Sequence, residues 1–382
     1  MKGDGQMKGK GAGAEGIDGK KEREGGKDRS VSGEDGSSRV AGRRVERAIE
    51  EKRPSRGSSV TGKEKGKAPW QPAYLRLFEE GTLAKRIAEA IAMLETCRLC
   101  PRRCGVNRLA DEAGTCRTGR QAFLSSYSPH FGEEDVLVGE GGSGTIFFTH
   151  CNLLCRFCQN FEISHLGDGK RVSPEEIAGM MIRLQKLGCH NINFVSPSHV
   201  VPQILESLPL AIRAGLRIPL VYNTGGYDAR TTLGLLDGIF DIYMPDLKFM
   251  SADVAARFCQ APDYPDRVQE AILEMHRQVG DLVMDSRGIA QRGLLVRHLV
   301  LPENLAGTRL AMRFLSQAVS PHTYVNVMAQ YRPYGGVINE PPLHRKITAE
   351  EYEEALKVAR EEGLLRLDQR KGFKIIRFFE SK

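Results

Sequence analysis

No stretch of about 18 consecutive apolar residues occurs in the chain, which excludes a membrane-spanning helix. The N-terminal Met-Lys-Gly-Asp-Gly-Gln lacks the apolar core of a signal peptide. Cysteine is scarce for the length: nine in 382 residues, too few for a disulfide scaffold. Those nine are clustered, which suits metal ligation in a reducing compartment, so the cytoplasm is the expected location. A charge excess is also missing from most of the chain. The formal net charge is +7, but residues 1–67 hold 18 of the 55 Lys+Arg and 12 of the 48 Asp+Glu, so +6 belongs to them. The rest is nearly neutral, and neither nucleic acid nor a membrane is an expected partner. The Gly139–Gly144 stretch has no phosphate-loop lysine and reads as a turn.

What is present falls into three parts. Residues 1–67 mix Gly, Lys, Glu, Arg and Ser without a hydrophobic period, the pattern of a disordered tail. Residues 68–140 hold a helix over roughly Leu83 to Leu94, then a cysteine-rich loop punctuated by Pro101, Gly105, Gly114 and Gly119. From 141 to 382, apolar runs alternate with amphipathic helices. The runs are TIFF (145–148), NINFVS (191–196), PLVYN (219–223), IFDIYM (239–244), LLVRHLVL (294–301) and TYVNVM (323–328). Capping boxes start two of the helices, Ser173 with Glu176 and Thr348 with Glu351; Gly188 and Gly363 close them.

Six strands alternating with helices predict an α/β fold built of parallel βα units, a partial (β/α)6 TIM-type barrel. Function in such a fold gathers at the carboxyl ends of the strands. That rule collects His150 and Cys151, then Ser196, Ser198 and His199, then Asn223 and Thr224, Asp246 and Lys248, and Gln330. His199 is a candidate proton donor or substrate contact there. Lys248 suits an ion pair better than a Schiff base, and Tyr331 and Tyr334 line the exit of the last strand.

The sharpest signal is Cys151-Asn-Leu-Leu-Cys155-Arg-Phe-Cys158, directly after the first run. Three thiolates at gaps of three and two residues fit one corner of a cubane and leave the fourth iron open. A zinc site would want a fourth ligand, and His150 is awkwardly placed to supply it.

The loop, with Phe157 before its last cysteine, resembles the mark of the radical S-adenosylmethionine (SAM) superfamily. The likeness is greatest to the branch of pyruvate formate-lyase activating enzyme. MPDLKF (244–249), YNTGGY (222–227) and LVRHLVLP (295–302) are similar to that branch's strand ends and fall in the same order. The resemblance covers roughly residues 90–350. It implies a radical SAM barrel, a four-iron, four-sulfur cluster on Cys151, Cys155 and Cys158, and SAM on the open iron. Reductive cleavage of SAM would then yield a 5′-deoxyadenosyl radical that abstracts hydrogen from a substrate. An electron donor such as flavodoxin or ferredoxin is implied, and a protein substrate, a glycyl radical enzyme, is one candidate. Phe157 would pack beside the adenine; Asp246, Met244 and Thr224 match positions around a cation next to SAM; Arg297 matches a residue holding SAM's carboxylate or ribose. Two departures stand out. Ser196-Pro197-Ser198-His199 replaces the usual Gly-Gly-Glu turn, which leaves Ser198 for the SAM amino group, and Asn223 replaces an Asp.

The second group, Cys97-x2-Cys100-x3-Cys104-x11-Cys116, is a complete tetrahedral set for either zinc or an auxiliary iron–sulfur cluster. Arg102, Arg103, Asn107 and Arg108 beside it could grip an anion, though solvated side chains are the plainer reading. Cys189 and Cys259 lack ligand spacing and read as packing. The expectation is therefore a radical SAM oxidoreductase. The rival is a non-catalytic protein in which both cysteine groups are structural or electron-carrying.

Overall fold

The computed structural model describes residues 70–368; the segment 1–67, read above as a disordered tail, lies outside them. Two helices, Ala73–Glu79 and Thr82–Ala92, open the chain. A loop carrying the four cysteines from Cys97 to Cys116 follows. Its one regular piece is the turn Arg108–Ala110, started by Asn107, whose side-chain oxygen accepts from the Leu109 and Ala110 amides at 3.0 and 3.3 Å. An Asn in this place caps a turn and does not grip an anion.

The strands are β1 (Ala122–His130), β2 (Ser143–Phe148), β3 (Lys170–Val172), β4 (Ile192–Val195), β5 (Leu220–Thr224), β6 (Ile242–Pro245), β7 (Val283–Met284), β8 (Ala290–Leu299), β9 (Tyr324–Met328) and β10 (Arg366–Leu367). They join in one ten-stranded sheet in the order β10-β9-β8-β6-β5-β4-β2-β1-β3, with β7 paired to β8. From β2 through β10 that path is parallel, and β1 is antiparallel to both β2 and β3. Each of the six apolar runs is a strand of the parallel part. β1, with Ser, Tyr and Pro alternating through it, has no apolar run to announce it; its pairing with β2 supplies what its side chains do not.

Helices fill the connections between parallel neighbours. Pro174–Lys186, between β3 and β4, shows why: Ser173 accepts from the Glu176 amide at 3.2 Å, and the Glu176 carboxylate accepts from the Ser173 amide at 2.8 Å. Such a cap stabilises a helix start by about 1 kcal/mol. Ile177, Met181 and Leu184 then lie on one buried face, each contributing about 1.5–3 kcal/mol by leaving water. Thr348 and Glu351 repeat the device for Ala349–Glu361. Under the sheet the core is aromatic: Phe148 stacks on Phe194, and Tyr222, Phe240 and Tyr243 meet edge-on or tilted within about 6 Å of one another. The parallel strands therefore end on one side of a rigid platform, and the loops on that side carry the chemistry.

Candidate active site

The chain leaves β2 through Thr149 and turns sharply. His150 and Leu154 adopt left-handed φ values of 62° and 56°, which bends the loop around its own cysteines. Backbone bonds hold the bend. The His150 amide donates to Ile163 O (2.9 Å), the Arg156 amide to Phe258 O (2.8 Å) and the Cys158 amide to Cys155 O (3.1 Å). One sulfur accepts a backbone bond, the Leu153 amide donating to Cys151 Sγ at 3.4 Å, and the Asn160 amide and Ser164 hydroxyl lie close enough to Cys158 to favour its thiolate.

Free thiols here would not ionise. Burial, and then Cys155, push the Cys151 thiol up to about 12. The Cys259 thiol, then burial, hold Cys155 well above its ordinary value; burial first does the same to Cys158. Only a bound metal offsets the cost of three thiolates in this place. Among the described residues no three Cys, His, Asp or Glu side chains converge as a preformed metal position; by spacing and donor chemistry, three sulfurs on one loop suit an iron–sulfur cluster. Cys259, which read as packing, is the thiol against Cys155, brought there by the end of helix Ala252–Cys259.

The next strand ends supply a charged network beside the loop. Asp246, one residue past β6, accepts from Arg297 Nε of β8 at 2.7 Å and from Lys248 Nζ at 2.5 Å. Arg297 also donates to Asn223 Oδ1 at 2.6 Å and lies 3.4 Å from Glu133. Burial alone would raise the Asp246 carboxyl, but Arg297 and Lys248 hold it below the usual range, so it is ionised. Lys248 lies within electrostatic reach of Cys155. It forms the ion pair expected of it.

A second network starts one residue away. Ser198 and Thr224 hydroxyls are 3.0 Å apart, and Thr224 donates to Asp228 at 2.6 Å. Tyr222 donates to the other Asp228 oxygen at 2.9 Å. All four are buried. Asp228 escaped the sequence reading, although an acid four residues after the threonine that ends a strand was a usable signal. Gly226 makes the intervening turn possible: its φ is 81°, and a Cβ there would meet Asp246 O at 2.5 Å.

Of the residues singled out for SAM, Thr224 and Ser198 thus sit together, as do Asp246 and Arg297. Phe157 sits apart from both pairs, buried edge-on to Phe249, Phe258 and Tyr331 at 5.8, 6.4 and 6.1 Å. His199 follows β4 at its carboxyl end but is buried there. It is 1% exposed, its Nε2 is 3.0 Å from Thr149 O, and burial first, with Arg108 next, lowers it to about 3, so it is neutral. Tyr331 is buried with its hydroxyl donating to Leu343 O, and Tyr334 donates to Glu162 at 2.5 Å.

The two cysteine groups touch through Arg102 and Asn152. Arg102 donates to Asn152 O (2.9 Å), Leu153 O (3.2 Å) and Cys259 O (2.7 Å), and also to Gln260 O. A residue that read as a solvated charge is a clamp on the cysteine loop. The Asn152 side chain donates to Tyr227 O at 2.7 Å and hydrogen-bonds Cys100. Cys97, Cys100, Cys104 and Cys116 border one small pocket.

A three-cysteine loop at the carboxyl end of the first parallel strand, flanked by polar strand ends, defines a class before any comparison is made. Residues 145–285 match the model of the radical SAM superfamily. An uncharacterized protein of Methanocaldococcus jannaschii is 32% identical over 298 residues, 76% of this chain and 82% of the relative. The chain belongs to the radical SAM superfamily. Membership brings that superfamily's enzymatic chemistry, its four-iron, four-sulfur cluster and its SAM. The cysteines from 97 to 116 fall before the matched segment. No helix among the described residues is long and apolar enough to cross a membrane.

Proposed function

We infer that the protein is a radical SAM enzyme whose cluster is held by Cys151, Cys155 and Cys158, and that it removes a hydrogen atom from a substrate. The observation that carries this reading is the loop itself: three cysteine sulfurs, Cys155 buried and Cys151 and Cys158 partly buried, with the Leu153 amide donating to Cys151 Sγ and Lys248 and Asp246 within electrostatic reach of Cys155. When bound, a reduced cluster supplies one electron to SAM, whose cleavage provides the 5′-deoxyadenosyl radical. The chain's own residues position and shield. Asp246, fixed by Arg297 and Lys248, presents an ionised carboxylate at the strand ends. Ser198 and Thr224, one strand over, are the residues assigned to SAM's amino and ribose side; their hydroxyls are bonded to each other and to Asp228, so reaching SAM requires them to exchange partners. Phe157 walls the loop from water on its core side.

The finer assignments form part of the same reading. The sheet is taken as a partial (β/α)6 barrel, with 141–382 as its core. Within the superfamily the strand-end sequences support a place near the pyruvate formate-lyase activating enzyme branch, with a protein substrate and a flavodoxin or ferredoxin as electron donor in the cytoplasm. Cys97, Cys100, Cys104 and Cys116 supply a second metal site, zinc or an auxiliary iron–sulfur cluster.

The test is SAM turnover. Anaerobically reconstituted, reduced protein should release 5′-deoxyadenosine. Failure to do so, with the cluster present by spectroscopy, would favour the electron-carrying rival. A glycyl radical seen by electron paramagnetic resonance on a co-purified partner would establish the protein substrate.

A further inference from the structure

Arg108 is the largest fully buried side chain among the described residues, 1% exposed. Its Nε donates to Gly119 O at 3.0 Å and its Nη1 to His199 O at 2.7 Å. Nη1 also lies 4.0 Å from Cys97 Sγ, and Nη2 has no partner. Among the described residues no carboxylate pairs with it. Guanidinium cannot shed its charge, and a buried charge is ordinarily paired. Two backbone carbonyls satisfy hydrogen bonds but do not neutralise a cation. Arg108 lines a small pocket with Cys97, Cys100, Cys104, Cys116 and His199; Arg102 and Arg103 border it too, but the Arg102 guanidinium is spent on the carbonyls of Asn152, Leu153 and Cys259.

We propose that these four cysteines bind a thiophilic metal as four thiolates, giving a centre of net negative charge whose counter-ion is Arg108. The proposal rests on reading the group as a metal site and adds its charge, its ligand set and the residue that balances it. Zinc with four thiolates is a dianion, and so is an all-cysteine four-iron cubane in its oxidised form. Either explains a buried cation that protein groups leave unpaired. Three of the thiols, Cys97, Cys100 and Cys116, are buried with it, and Cys104 closes the set at the surface side. Cys104 is already oriented: its Sγ accepts from the Thr115 amide at 3.4 Å and packs where a Cβ on Gly114 would stand. His199 is the competing ligand, because its Nδ1 is buried without a partner while Nε2 faces Thr149 O. Four cysteines complete a tetrahedral set without it.

The test uses the full chain with Cys151, Cys155 and Cys158 all changed to Ala, so that metal bound elsewhere is counted alone. Anaerobically purified, this protein should retain either zinc without sulfide or iron with matching sulfide, which tells the two metals apart. Adding Cys97→Ser or Cys104→Ser should remove it, whereas His199→Leu should not. Arg108→Gln should release the metal to a chelator roughly 10- to 100-fold faster, and Arg108→Lys should recover part of the difference. Circular dichroism establishes that each variant is folded. A folded, metal-free triple variant overturns the site itself. Retained metal that Arg108→Gln does not loosen leaves the site standing and overturns the counter-ion. Metal lost with His199→Leu but kept with Cys104→Ser overturns the four-thiolate set.

Discussion

Around the loop from Cys151 to Cys158, charges are paired within the chain. Asp246 lies between Arg297 and Lys248, and Glu133 stands on the far side of Arg297. Around Cys97 to Cys116 the reverse holds: Arg108 is buried with carbonyls and thiols for neighbours and no carboxylate bonded to it. The donors are alike and the settings differ. A three-thiol loop leaves one metal position for a ligand from outside, and a self-compensated network of fixed charges beside it suits a site that must admit a charged molecule. A four-thiol set is closed, needs no substrate and requires only that its own charge be balanced. On the proposed reading the contrast separates an open centre for turnover from a closed second metal site, and Arg102, donating to carbonyls of the first group's loop from within the second, joins the two groups.

The largest effect should come from breaking the open side. Cys155→Ala should take 5′-deoxyadenosine formation to background and remove most iron, while metal at the closed group stays; retained turnover would reject the ligand assignment. Next is the charge network. Asp246→Ala leaves Lys248 and Arg297 facing each other without the carboxylate between them. Breaking a buried pair from one side costs about 3–5 kcal/mol, and the lower half is expected because Glu133 and Asn223 still engage Arg297. Denaturant unfolding measures it; a loss under about 1 kcal/mol would mean the network is solvated. Third is the link between the groups. Arg102→Ala should loosen the cysteine loop and lower cluster retention roughly 10-fold, with the second metal unchanged. Iron release to a chelator reports the first and metal counts the second.

These comparisons also show what was readable in advance. Both cysteine groups were visible as spacing alone, because a loop brings close what is near in sequence. Apolar runs announced six of the seven parallel strands, all but the two-residue β10, since strands buried on both faces need no polar alternation. Capping residues announced two helix starts. The clamp did not show itself: Arg102 sits 50 residues from Asn152 and 157 from Cys259, and nothing local to an arginine says whether its guanidinium ends in water or on distant carbonyls. Arg108 was opaque for the same reason, its partner His199 O being 91 residues on. His199 illustrates the opposite error. A strand-end position suggested exposure, but Pro197 starts a helical turn that folds the imidazole under the cysteine loop.

The smallest effect tests Asp228, the counterpart of Arg108: an acid buried beside the open group with hydroxyls for partners. Burial raises its carboxyl, and hydrogen bonds from Thr224, Ser198 and Tyr222 recover only part of the shift. An unfolded chain loses this proton near the ordinary value of about 3.9, whereas the folded chain keeps it to higher pH. Across that interval the folded state binds more protons, so this group's contribution to stability falls as pH rises from the unfolded value through the folded one. Asp228→Asn keeps the shape, accepts from one hydroxyl and cannot ionise. The variant should therefore gain on the parent as pH rises from about 4 until the folded carboxyl has ionised, by less than any loss described above, when unfolding by denaturant is followed at several pH values. A difference between the two that stays constant over the interval would show that the Asp228 carboxyl titrates alike in both states, and that solvent or a bound cation, not the hydroxyl network, satisfies it.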